Sequence, residues 1–240
     1  MAHPDTRSSE REAGLSEQET ARLQARVAVT AGQPTPLGLV AFGIPAFTLG
    51  SILAGWWPAP AVQAAALVPI LIAFGGVVQF IVAMWAYRTG ETLAATFFGA
   101  FGGLFATIGL YVLVTGSAVR SGIPAWALVS AMGPGGIIAA CFAFVALFVG
   151  VGAILPNPGL GVTSLALSVA QFFIAWALFA QGNALLTAIG GWAAVVSGAL
   201  ALLSAAAIAM GSGITRFRLL GPLAALPGLG RAMPRRPSTA

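Results

Sequence analysis

The residues best placed to do chemistry open the first apolar run of the chain: Gln33-Pro34-Thr35-Pro36-Leu37-Gly38-Leu39. Two prolines restrict a strand that leads into a helix. Pro36 suits the first turn, where its missing N–H would be unpaired anyway. The N–H groups that follow, at Leu37, Gly38 and Leu39, are then free at a helix start. The helix dipole there is worth roughly half a positive charge and favours a single anion. Gly38 leaves room for close approach. Capping of the helix without a ligand is the competing role for the same residues. Other polar side chains lie inside apolar runs: Thr48, Ser51, Gln79, Thr96, Thr107, Ser168, Gln171 and Ser197. Each serves either a solute or a hydrogen bond between helices.

The setting of these groups excludes much else. Of 240 residues, 58% are hydrophobic and only 7% charged, against about 25% charged in a soluble domain. A water-facing surface cannot be made from that composition, so a soluble globular enzyme is excluded. All eleven basic residues are Arg, and most lie in two tails. No compact basic face exists to follow a phosphate backbone, so nucleic acid is not an expected partner. The single cysteine, Cys141, rules out an internal disulfide and a cysteine-based zinc cage. Its expected role is a small buried hydrophobe. No cofactor and no metal site are expected.

Six crossings account for the apolar runs, each near the ~20 residues that span a ~30 Å hydrocarbon core. They are expected at about 37–56, 62–85, 92–114, 136–155, 160–180 and 184–210. Trp57-Pro58-Ala59-Pro60, Arg88-Thr89-Gly90-Glu91, Gly133-Pro134-Gly135-Gly136, Pro156-Asn157-Pro158-Gly159 and Gln181-Gly182-Asn183 are the breaks. Residues 123–132 are expected to form a short interfacial segment. Trp56, Trp57 and Trp85 fall at crossing ends, the level that amphipathic rings prefer. The chain thus divides into a mostly disordered tail (1–32), a six-helix transmembrane domain (33–212) and an irregular tail (213–240). Within the first tail, Leu15–Val29 could make a short surface helix. The tail lacks the apolar core of a signal peptide.

Charge supports the even number. Six crossings put Arg7, Arg11, Arg22, Arg26, Arg88, Arg216, Arg218, Arg231, Arg235 and Arg236 on one side and only Arg120 on the other. Positive residues favour the cytoplasm, so both termini are expected there, with the body in the inner (plasma) membrane. The crossings themselves hold no Asp, Glu, Lys, Arg or His. A charge at a helix centre costs about 2.5–3.5 kcal/mol on insertion scales, and proteins that keep one usually use it. Intramembrane acid–base, proton-relay and metal chemistry therefore lack their usual side chains. Passage of a small, weakly polar or singly anionic solute stays open.

The opening motif, followed by Phe42-Gly43, resembles the Asn-Pro-Ala-Pro-Leu-Gly-Leu…Phe-Gly signature of the acetate uptake transporter family, the succinate–acetate permeases. Phe74-Gly75-Gly76-Val77-Val78-Gln79 and Met84–Thr92 resemble that family's segment at the end of helix two. Thr96 to Phe105, Gly182-Asn183 and Gly191-Trp192 continue the likeness, which covers roughly residues 33–212. It implies an all-α integral membrane protein, assembled as a homohexamer in which each protomer encloses its own path for acetate and related short carboxylates. Gln33, Pro34, Pro36, Leu37, Gly38, Leu39, Gln79 and Thr96 would meet the substrate, and Phe42, Phe101 and Phe172 would form the constriction. Relatives usually carry Tyr at Phe101 and a smaller aliphatic residue at Phe172, so this constriction should be drier and favour acetate over succinate. The family's leading Asn is Gln33 here, and a family Glu near the end of helix two is Ala86. Glu91 stands where relatives often have Asn.

Gln79-Phe80 with Ala83 also echoes Gln171-Phe172 with Ala175, as a three-plus-three inverted repeat would produce. The expected function is transport of acetate and short monocarboxylates linked to a proton, which the substrate's own carboxyl could carry. An acetate channel working by uniport, an exporter of ammonia or another small solute, and a non-transporting membrane scaffold are the competing readings.

Overall fold

The computed structural model describes residues 32–58, 60–120 and 134–213, together with Glu19 alone. The expected helix at Leu15–Val29, the interfacial segment 123–132 and the tail 213–240 lie outside these residues, apart from Glu19 and the last residue of the sixth helix. Six helices are long and apolar enough to cross a membrane. They are α1 (Thr35–Leu53), α2, α3 (Thr92–Arg120), α4 (Gly135–Ala153), α5 (Pro158–Phe179) and α6 (Ala184–Gly213). Helix α2 is composite: α-helical over Pro60–Pro69, π-helical over Ile70–Val78 and α-helical again over Gln79–Arg88.

The breaks act as their chemistry dictates. Asn157 caps α5 by accepting the Leu160 N–H at 3.2 Å, with Pro158 in the first turn. Asn183 likewise accepts the Leu186 N–H at 3.1 Å as α6 begins. Gly90 turns α2 into α3 at φ +80°, a conformation that costs glycine little because it has no Cβ. Helix α1 starts at Thr35, two residues before the expected Leu37, and stops at Leu53 rather than Trp56.

The packing pairs form a ring. Each helix lies against the next in sequence, and α6 closes the ring on α1, while α3 also reaches across to α1. The short turns after α2, α4 and α5 make those neighbours antiparallel, whereas the closure of α6 on α1 is set by packing between them. At one end, where α1 finishes and α6 starts, the rings of Trp56 and Trp192 sit edge to face, 5.0 Å apart. The Trp57 indole N–H donates to Ser51 Oγ at 2.9 Å. Cys141 is exposed on α4, which corrects its expected burial. With apolar side chains on every face of the helix, its position in the run carried no directional signal.

Candidate functional site

Aromatic rings fill the ring's interior between α1 and α3. Phe97, Phe101 and Phe105 recur every four residues, which places them on one stripe of α3. Phe42 of α1 meets all three, with centroids 5.0, 6.1 and 5.8 Å away. Phe97 and Phe101 are 4.8 Å apart, and Phe98 stands at 5.5 Å from Phe97. Phe142 of α4 extends the cluster from Phe101 at 5.3 Å. Phe42, Phe97, Phe98 and Phe101 are wholly buried. Edge-to-face and tilted pairs of this kind add about 0.5–1.5 kcal/mol each beyond the area they bury.

The entry motif is built differently from the expectation. Because α1 begins at Thr35, the Gly38 N–H already donates to the Pro34 carbonyl at 3.2 Å, and Leu39 lies inside the helix. The expected cluster of three free N–H groups at Leu37, Gly38 and Leu39 is therefore not formed. The missing side chain of Gly38 has another use: a Cβ there would stand 2.4 Å from the Phe98 ring. Glycine seats the aromatic cluster at that point. Pro34, Gly38 and Leu39 are buried, Pro36 is half-buried, and Gln33 and Leu37 are exposed at the mouth.

One contact escaped sequence reasoning. The Thr35 hydroxyl, fully buried, donates to Glu91 Oε2 at 2.5 Å and ties the start of α1 to the turn between α2 and α3. The partners are 56 residues apart, and only their places, at the start of the first crossing and in the turn after the second, could have suggested the pairing.

Gln79 is the most unusual polar residue of the interior. It follows directly on the π-helical segment, a feature often found at functional sites. Its accessibility is 0%, and neither Oε1 nor Nε2 has a hydrogen-bond partner. Its Cβ faces Gly102, the residue next to Phe101, while Gly75, one turn earlier, is pressed against the base of Phe105. Helix α5 adds two more buried, unpartnered hydroxyls, Thr163 and Ser164. Ser197 of α6 donates to the Thr163 carbonyl at 2.9 Å. Sequence reasoning found Gln79 and Ser197 and passed over Thr163 and Ser164.

Two expected site residues lie elsewhere. Phe172 is 57% exposed and touches the rings of Phe173 and Trp176 on the outer side of α5. The structure does not bring it to Phe42 and Phe101. The buried face of α5 carries Leu160, Ser164 and Leu167, with Leu160 and Leu167 belonging to the same core as the phenylalanines. Thr96 spends its hydroxyl on the Thr92 carbonyl one turn back, at 2.9 Å. Among the described residues, no group of three or more His, Cys, Asp or Glu could hold a metal ion.

The profile of the GPR1/FUN34/yaaH family matches residues 17–220 of the chain. An uncharacterized protein of Methanothermobacter thermautotrophicus (strain Delta H) is 27% identical over 177 residues, which is 70% of this chain and 80% of that protein. Among solved structures, the bacterial acetate channel SatP superposes with a TM-score of 0.63 at 23% identity. The match covers 76% of this chain and 94% of that one.

Proposed function

We propose that the chain, which belongs to the GPR1/FUN34/yaaH family, carries acetate and related short monocarboxylates across the membrane. Its family is one of transporters and channels, not enzymes. The observation that carries the proposal is the interior of the helix ring. An aromatic cluster closes it, and a wholly buried amide, Gln79, stands beside that cluster with both polar atoms unpartnered. Rings select by size and by exclusion of water, and an unpaired buried amide is costly unless a passing solute engages it. The likeness of the fold to a channel titled for acetate points the same way.

In this reading Phe42 and Phe101 narrow the path, joined by Phe97, Phe105 and Leu167 where Phe172 was expected. Gln33 and Pro36 frame the mouth, and Thr35 with Glu91 fixes it. Both termini lie in the cytoplasm and the body in the inner membrane, a placement supported by the ten-to-one distribution of Arg. Six copies would assemble, each with its own path. The proton travels with the substrate, since no Asp, Glu, Lys, Arg or His lies within the crossings to carry it.

Purified protein in liposomes, given labelled acetate beside lipid-only vesicles, tests the proposal. Excess uptake is expected; its absence would remove acetate and revive an exporter or a scaffold. A channel for the anion is the second reading, favoured by the likeness to the acetate channel. An imposed membrane potential drives flux through an anion channel, whereas only a pH gradient drives proton-linked flux.

A further inference from the structure

We infer that the interior site at Gln79 recognises the uncharged carboxylic acid, and with it other small neutral carbonyl compounds such as primary amides, rather than the carboxylate anion. The inference rests on the transport reading and deepens it by naming the species that passes. It begins with the chemistry of the unpartnered group. A glutamine amide presents one acceptor oxygen and a donor nitrogen side by side. Both are wholly buried and both lack a partner.

A protonated carboxyl group has the complementary pair. Its O–H donates to Gln79 Oε1 while its carbonyl oxygen accepts from Nε2–H, closing a ring of two hydrogen bonds. A carboxylate offers acceptors only, so it would satisfy Nε2 and set a negative charge against Oε1. The other unpartnered buried groups, Thr163 and Ser164, are hydroxyls, which also donate and accept.

The charge of the surroundings gives the same answer. No Lys, Arg or His occurs in 35–87, 92–116 or 135–211, so nothing in the crossings neutralises a buried anion. An isolated carboxylate is very costly in such a medium, and in practice the group takes up a proton instead. Glu91, the acid nearest the mouth, is bound by Thr35 and adds negative rather than positive charge to the approach. The π-helical turn before Gln79 and the bare Gly102 opposite it hold the amide where no backbone group engages it.

Acetamide separates the neutral solute from the anion, because it resembles acetic acid in shape and carries no charge at any working pH. The full chain is reconstituted, and entry of labelled acetamide and labelled acetate is followed at pH 6 and pH 8 against lipid-only vesicles, with and without an imposed potential. Acetamide should enter in protein-dependent excess equally at both pH values. The excess of acetate should fall roughly tenfold per pH unit above its carboxyl pKa, and neither flux should respond to potential. Gln79→Leu should lower the acetamide excess by about tenfold or more, while Gln79→Asn, which keeps the amide, should retain part of it.

An acetate excess that ignores pH, follows the potential and has no acetamide counterpart overturns the inference and leaves transport standing as anion passage. An acetamide excess untouched by Gln79→Leu in monodisperse protein also overturns it. If neither solute exceeds the lipid-only vesicles, the transport reading fails and takes the inference with it.

Discussion

Helix α1 meets its two main partners in opposite ways. Against α6 the backbones touch: a Cβ on Gly191 would lie 2.3 Å from the Ala54 nitrogen, and one on Gly198 would lie 2.6 Å from the Phe47 nitrogen. Against α3 the backbones stand apart and rings fill the gap, with Phe42 set among Phe97, Phe101 and Phe105. Small residues that let helices approach are a common membrane solution, because packing rather than hydrophobicity drives association there. A seam of backbone atoms has nothing that can turn aside. A seam of rings has side chains that can change rotamer while the helices stay in place. The α1–α6 face thus holds the bundle, and the α1–α3 face is where a solute could pass.

The sharpest way to break this contrast is at Gly191. Gly191→Val sets a branched side chain against backbone, beyond the ~1–3 kcal/mol of ordinary overpacking. It should abolish recovery of folded, monodisperse protein in detergent. Wild-type thermal stability in that variant would refute the static role of the α1–α6 seam.

Truncating the other seam should be milder. Phe42→Ala opens a cavity worth about 3–5 kcal/mol in soluble cores. The variant should fold with a lowered melting temperature and admit longer monocarboxylates. An unchanged melting temperature would mean that Phe42 does not hold the cluster.

Gln79→Leu should move stability the other way. It removes a buried unsatisfied amide, a penalty of about 1–3 kcal/mol, and melting should rise while acetate flux falls. A variant both less stable and equally active would show that Gln79 serves packing alone. The smallest effect is expected at the mouth. Thr35→Val deletes the bond to Glu91 and should cost about 1 kcal/mol, read as a small loss of melting temperature that a Glu91→Ala background, which has no acceptor for the hydroxyl, abolishes.

The architecture was legible in the sequence because its signals are coarse. Runs of about 20 apolar residues and proline–glycine breaks need no knowledge of which face points where. The site depends on such faces, and there the sequence was silent. Helix α5 carries only Thr163, Ser164, Ser168 and Gln171 among apolar residues, too few to separate outward Phe172 from inward Leu167, five residues earlier. The phenylalanines of α3 were visible, and the family resemblance set Phe42 beside Phe101, where the structure has them 6.1 Å apart; spacing alone could not, because Phe42 reaches them from another helix. Gly38 was read as room for an anion when it is room for the Phe98 ring. Spacing shows that space is left, but not what fills it. The π-helical segment of α2 has no composition of its own and shows only in the backbone.

The central claim is that solute passes among the buried rings of α1 and α3 and not along the outer aromatics of α5. Its most direct test compares Phe101→Ala with Phe172→Ala in the same vesicles, as the ratio of butyrate to acetate flux. The account predicts a ratio raised about tenfold by Phe101→Ala and left within about twofold by Phe172→Ala, in line with the ~1–3 kcal/mol that one methylene is worth in a fitted pocket. A ratio that moves with Phe172→Ala and stays fixed in Phe101→Ala would contradict it.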